Sequence, residues 1–114
     1  MANYQVVVHI DESAKGLLVL NNIENLLADL GKDNVNVELV ANYEGIKIVL
    51  KSPNTYVEQI ERLEKMGVKF VACSNTMHQK GITKEELVGL VQIVPSGVGE
   101  LVKKQAQGWA YIRP

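Results

Sequence analysis

The apolar positions of this chain change period several times, and each change marks an element. Tyr4 to Ile10 carries the β-branched run Val6-Val7-Val8 with apolar side chains on both faces, the pattern of a strand covered on both sides. Asp11, Glu12 and Ser13 then suit a helix start, and Val19, Leu20, Ile23, Leu26, Leu27 and Leu30 recur at helical spacing up to a stop at Gly31. A second strand spans Val35 to Val40, and Ala41 to Gly45 forms the loop at its carboxyl end. The short apolar run Ile46 to Leu50 fits strand or buried helix by periodicity, and we read it as helix. Ser52-Pro53 has the form of a cap followed by proline at the first helical position. Tyr56, Val57, Ile60 and Leu63 continue that helix to Gly67.

The third strand is Val68-Lys69-Phe70-Val71-Ala72, ending at Cys73, after which Ser74 to Gly81 reads as a loop or short helix. Thr83-Lys84-Glu85-Glu86 has capping-box spacing. Val91 to Val94 is a fourth strand, Pro95-Ser96-Gly97 turns into a helix bearing Val98, Leu101 and Val102, and Gly108 stops it before a last strand over Trp109 to Ile112.

Five strands alternating with helices predict one α/β domain over residues 1–114, with a mainly parallel sheet, helices on both faces and right-handed crossovers. The carboxyl ends of the strands then present Asp11 and Glu12, Asn42 to Gly45, Cys73 to Thr76, and Pro95 to Gly97 along one rim. In the doubly wound order 2-1-3-4-5 the binding crevice lies between strands one and three, which would set Asp11 and Cys73 on its two sides.

Composition narrows the function. A formal net charge of -1 gives no electrostatic drive towards a phosphate backbone or an anionic bilayer, so neither nucleic acid nor membrane is an expected partner. No apolar run approaches the roughly 20 residues of a membrane-spanning helix. The start Met1-Ala2-Asn3-Tyr4 lacks a basic region followed by a hydrophobic one, so a soluble, cytoplasmic protein is expected. A single cysteine rules out an internal disulfide, a CxxC pair and a cysteine-rich zinc site, which leaves single-thiol or intermolecular chemistry.

Cys73 is the main chemical candidate, because ligands in open parallel sheets gather at the carboxyl ends of the strands. Its reactive form is the thiolate, and an unperturbed thiol near pKa 8.5 is only a few per cent ionised at pH 7. A helix starting at Ser74 or Asn75 favours the anion by about 1 kcal/mol, less than one pKa unit, and Asp11 or Glu12 nearby would oppose it. Activation therefore calls for backbone N–H donors, His78, Lys80 or a basic group from another subunit. The opposing reading makes Cys73 a small buried hydrophobe.

The other candidates each have a structural reading. His78 reads as a solvated loop histidine or a proton donor turned back towards the thiol, and His9 as a satisfied core histidine. Two separated histidines make no metal motif, and no metal or cofactor is expected. Asp11 and Glu12 read as helix-start charges. Ser96-Gly97-Val98-Gly99 fits neither phosphate-loop pattern and reads as cap and close packing, and Trp109 as core or subunit interface.

The run Val68 to Thr76 with Cys73 at the strand end, Lys80-Gly81-Ile82, Val94-Pro95-Ser96-Gly97-Val98 with Glu100-Leu101, and the close Gln107-Gly108-Trp109-Ala110-Tyr111-Ile112-Arg113-Pro114 together resemble the DsrE/DsrF-like family over nearly the whole chain, and a small stand-alone branch of it in particular. The resemblance implies a five-stranded flavodoxin-like fold assembled as trimers or hexamers. It also implies that Cys73 carries sulfane sulfur as a persulfide between donor and acceptor proteins, with Asn42 and Gly45 in the loop facing it, and Ser74, Asn75 and His78 beside it. Two readings follow: a sulfur carrier built on Cys73, or a non-enzymatic oligomeric module that binds a small ligand or a protein and uses Cys73 only for packing. A flavodoxin-like nucleotide or flavin binder is disfavoured, since Asp11-Glu12 stands where a phosphate loop would follow strand one.

Overall fold

The computed structural model describes residues 3–114; Met1 and Ala2, read above for a targeting signal, lie outside the described residues. Five strands, β1 (Tyr4–Ile10), β2 (Val35–Ala41), β3 (Lys69–Cys73), β4 (Gln92–Val94) and β5 (Ala110–Ile112), form one sheet in the order β4-β3-β2-β1-β5 with every pairing parallel. The helices are α1 (Gly16–Leu30), α2 (Val57–Lys65), α3 (Ser74–Lys80) and α4 (Gly97–Ala106). This is an α/β fold of the flavodoxin-like kind. Among the described residues no helix is long and apolar enough to cross a membrane.

The strand order corrects the expected 2-1-3-4-5. The chain steps outward from β1 through β2 and β3 to β4, and only the last connection returns across the sheet to lay β5 on the other side of β1. The order therefore reverses at β1, between β2 and β5, and β2 separates β1 from β3. Asp11 and Cys73 consequently do not flank one crevice: Asp11 sits at the β1/β5 side, where Arg113 bonds its carboxylate at 3.0 and 3.2 Å and Glu12 at 3.3 Å.

The direction of each connection decides what covers each face. On one face Val6, Val8 and Ile10 of β1, Val35, Val37, Leu39 and Ala41 of β2, and Phe70 and Ala72 of β3 pack against Val19, Leu20, Ile23 and Leu27 of α1, Ile60 and Leu63 of α2, and Met77 of α3. The opposite face is crossed by α4 alone, whose Leu101 packs on Val7, Val40 and Val71. Period-two alternation turns the intervening residues His9, Glu38, Lys69 and Cys73 towards that second face. Three layers result, with a broad apolar core on one side and a small apolar patch among polar side chains on the other.

Several local expectations shift. Ile46 to Val49 is helical, as part of a 3₁₀ segment over Tyr43–Val49, while Leu50 is extended and bridges Leu87. Pro53 does not open α2, which begins at Val57. Asn54 explains the delay: its amide donates to the carbonyls of Ile48 and Leu50 at 2.7 Å and its oxygen accepts from Tyr56 N–H at 2.8 Å, holding the segment in a turn. A 3₁₀ turn over Ser13–Lys15 precedes α1. Thr83 precedes a single 3₁₀ turn, Lys84–Glu86, without capping it by its side chain. Ser96 does cap α4, its hydroxyl accepting from Gly99 N–H at 3.0 Å.

Candidate functional site

Cys73 ends β3 and caps α3, so its sulfur faces the first N–H groups of that helix. Thr76 N–H donates to Sγ at 3.4 Å, and the N–H of Asn75 faces it as well. A second helix start arrives from above the sheet. Gly97, first residue of α4, is packed so closely that a Cβ there would lie 3.2 Å from Cys73 Cβ and 3.1 Å from Asn42 Cβ. Only glycine lets the backbone come this near, and its N–H joins those of α3 around the sulfur.

The thiol is 5 % exposed. Burial pushes its pKa up and is the largest single influence, but the Thr76 side chain and the N–H groups of Gly97, Thr76 and Asn75 together outweigh it, so the thiol ionises below its ordinary value. The activation comes from donors alone. His78 is exposed on the last turn of α3 and Lys80 is tied to Glu44, so neither side chain reaches the sulfur.

Of the other residues expected at the site, Asn42 follows β2 directly and stands beside Gly97 and Cys73. Ser74 and Asn75 form the first turn of α3, where Asn75 contributes its backbone. Gly45 is buried for a different reason: a Cβ would fall 2.2 Å from the carbonyl oxygen of Ile10, so glycine lets the 3₁₀ segment lie against the end of β1. That segment also shapes the rim. Tyr43 holds a left-handed backbone (φ 49°), donates its N–H to Thr76 Oγ1 at 2.9 Å and leaves its ring 63 % exposed, with Lys80 Nζ 5.2 Å from the ring centre. Glu44 pairs with Lys47 at 2.8 Å and with Lys80, and these two lysines hold its carboxyl down at a pKa of about 2.

Two polar groups on the α4 face were not foreseen as a unit. His9 is buried, with Nδ1 2.8 Å from the Tyr111 hydroxyl and Nε2 2.8 Å from Asn42 Oδ1. Its reading as a satisfied core histidine holds. Farther down the face, Glu38 is 1 % exposed and neither carboxylate oxygen has a hydrogen-bond donor; Lys69 Nζ lies 3.5 Å away and Lys104 Nζ 3.9 Å. Burial, reinforced by the neighbouring Glu100 carboxylate, raises its pKa to about 7 against the pull of the two lysines. A proton on Glu38 removes its repulsion from Glu100 and the cost of burying a charge without a donor, which is why the neutral form suits the site. The signal was present in the sequence, as one acid inside the apolar strand Val35-Asn36-Val37-Glu38-Leu39-Val40-Ala41.

No cluster of metal-ligating side chains occurs among the described residues. A cleft of about 400 Å³ is lined by Val8, Ile23, Leu26 and Ile112 on the α1 side of the sheet and does not include Cys73.

Comparison with known proteins follows this geometry. A search of curated proteins finds no match. Among solved structures, a protein of unknown function, MTH1491 from Methanobacterium thermoautotrophicum, is 42% identical and superposes with a TM-score of 0.92, the match covering 97% of this chain and 99% of that one. The ychN protein from E. coli (15% identity, TM-score 0.69, 100% of both chains) and a conserved protein of unknown function, BT1422 from Bacteroides thetaiotaomicron (14%, TM-score 0.64, 98% of this chain and 96% of that), share the fold. The family model of the DsrE/DsrF-like family matches residues 6–114. The chain belongs to the DsrE/DsrF-like family.

Proposed function

We propose that the protein is a sulfur carrier in which Cys73 accepts sulfane sulfur, holds it as a persulfide and passes it to a partner thiol. The observation that carries this reading is the ring of N–H donors from two helix starts around the Cys73 sulfur, which draws the thiol below its ordinary pKa in spite of burial. A thiol used only for packing has no need of such donors, and an apolar pocket alone would raise its pKa.

The chemistry balances without a cofactor or an outside oxidant. The Cys73 thiolate attacks the outer sulfur of a donor persulfide, a new S–S bond forms at Sγ, and the donor's own S–S bond breaks with its electron pair leaving on the donor thiolate. In the second half an acceptor thiolate attacks the outer sulfur now on Cys73, and Cys73 leaves as thiolate. Donors that favour the Cys73 anion make it a better leaving group in this second step. A reducing cytoplasmic setting would keep the empty carrier in its thiol form.

The opposing reading, a binding module with a structural cysteine, draws on the 5 % exposure of Cys73. The two differ in one experiment. Reduced protein is incubated with a small-molecule persulfide, and its intact mass is read beside a Cys73→Ser control. Gain of whole sulfur atoms by the wild type alone supports the carrier. No gain, together with slow alkylation of Cys73 near neutral pH, sinks it in favour of the binding module.

The partner this reading assigns to the outer side of α4 is a second copy of the chain. Val98 and Val102, one turn apart, are 60 % and 61 % exposed on α4, the one helix among the described residues that crosses that face, and a net charge of -1 poses little barrier to self-association. Family membership adds the trimer or hexamer as the expected assembly. Light scattering on the wild type and on a Val98→Glu, Val102→Lys variant measures it; a monomeric wild type would remove the assignment.

A further inference from the structure

Four adjacent positions across the sheet each bring one polar or reactive side chain to the carboxyl end of the α4 face: Tyr111 from β5, His9 from β1, Asn42 just past β2, and Cys73 from β3. The first three are joined by hydrogen bonds, and the chain of bonds has a direction. Asn42 Oδ1 can only accept, so His9 Nε2 carries the proton and donates to it. A His9 ring that carries its single proton on Nε2 leaves Nδ1 bare to accept from the Tyr111 hydroxyl. Asn42 is fixed through its backbone as well, its N–H donating to Ile10 carbonyl at 3.1 Å and its carbonyl accepting from Gly45 N–H at 2.9 Å. With Oδ1 held by His9, the Nδ2 amino group is left without an acceptor among the described residues, at a residue packed on the same glycine as Cys73.

We infer that Asn42 Nδ2 is the donor that receives the outer sulfur of a Cys73 persulfide, and that His9 and Tyr111 are positioning residues that fix the orientation of its amide. This rests on the sulfur-carrier reading. The outer sulfur of a persulfide is about 2 Å beyond Sγ, so a donor to it is a different one from the N–H groups that serve Sγ itself. An amide free to turn would offer either its oxygen or its nitrogen to the anion. The His9 bond to Oδ1 leaves the nitrogen for the anion, and the Tyr111 hydroxyl holds the His9 ring in place from its other side.

The test follows two pH profiles for each protein: alkylation of the empty Cys73 thiol, and reaction of the loaded persulfide with the same reagent. Asn42→Ala is expected to raise the persulfide pKa by about one unit, a tenfold loss of anion at fixed pH, while leaving the profile of the empty thiol where it was. A general disturbance of the fold would move both profiles. Tyr111→Phe is expected to shift the persulfide in the same direction by a smaller amount, and to add nothing when combined with Asn42→Ala, since it acts through Asn42. Long-range nitrogen–proton NMR of wild-type His9 should find the proton on Nε2. A proton on Nδ1, or an Asn42→Ala persulfide with the wild-type profile, overturns the inference while leaving the carrier intact. Failure of the wild type to load sulfur overturns both.

Discussion

Glu38→Gln is the perturbation whose outcome the structure fixes best. The acid sits in the central strand β2 with both oxygens lacking a donor, beside Glu100, and its pKa of about 7 compares with 4.5 for an ordinary glutamate. Because the folded protein binds this proton more tightly than the unfolded chain, the neutral acid contributes its full stability below about pH 4.5. That contribution erodes as pH rises towards 7 and is gone above it. At roughly 1.36 kcal/mol per unit, the full swing is about 3 kcal/mol, a large share of the 5–15 kcal/mol typical of a domain. Glutamine keeps the shape, never ionises and puts no second negative charge beside Glu100 at any pH. The assay is urea unfolding followed by Trp109 fluorescence and circular dichroism at pH 5, 6, 7 and 8, at one protein concentration so that any association is held constant. Near pH 5 the variant should match the wild type to within about 1 kcal/mol. By pH 8 it should have gained about 2–3 kcal/mol on it, with no change in the urea slope. Parallel curves, or a wild type that gains on the variant as pH rises, would refute the claim that Glu38 is buried as an acid with its proton.

Three further outcomes are expected. Gly97→Ala puts a methyl group 3.1–3.2 Å from the Cβ atoms of Asn42 and Cys73, so α4 must back away; stability should fall by about 1–3 kcal/mol and alkylation of Cys73 near pH 7 should slow, and a variant that alkylates at the wild-type rate would show that the Gly97 N–H does not act on the thiol. Gly45→Ala meets the Ile10 carbonyl oxygen at 2.2 Å, a clash with backbone that no rotamer relieves, so the melting temperature should drop by more than 10 °C or soluble protein be lost; a drop of only a degree or two counts against this packing. Glu44 has a pKa of about 2, below the ordinary value, so its pairing with Lys47 and Lys80 contributes stability above pH 4.5 that is lost as pH falls towards 2; Glu44→Gln should flatten that acid limb and leave the limb between pH 5 and 8 untouched.

The sequence made the strands and main helices legible because each carries its own period and its own stop. Gly31 and Gly108 end α1 and α4 with φ of 88° and 94°, conformations that glycine adopts freely, and both stops were readable. Cys73 was legible for the same reason, as the residue where an apolar run meets polar ones. The order of the strands was not. Whether β3 lies beside β1 or beside β2 depends on which edge each crossover takes, and the local pattern of a crossover helix is the same either way. The delayed start of α2 was hidden because Asn54 acts through bonds to Ile48 and Leu50, made only once the chain has turned. The His9 bonds were hidden too, since Tyr111 lies 102 residues away and meets His9 only through the pairing of β1 with β5.

The gathering of chemistry on one face follows from the topology. Three of the four helices described pack on the α1 face, so the β1, β2 and β3 residues turned that way are enclosed by apolar side chains and are themselves apolar, except at the strand start, where Tyr4 is exposed. The other face has one helix for five strands. Its alternating positions are enclosed only along the path of α4, where Val7, Val40, Val71 and Leu101 meet, and outside that patch polar side chains keep partners or water within reach. His9, Lys69, Cys73 and Tyr111 can occupy such positions without the cost that the same residues would meet under α1; Glu38, 1 % exposed with no donor to either oxygen, is the exception, and its raised pKa is the mark of that cost. The single return connection that puts β5 beside β1 thus does three things: it carries α4 across the sheet, brings Gly97 down onto Cys73, and delivers Tyr111 to His9. In an order that set β3 beside β1, β2 would no longer stand between His9 and Cys73 with Asn42 at its end. The strand order absent from the sequence pattern is therefore the one that assembles the site.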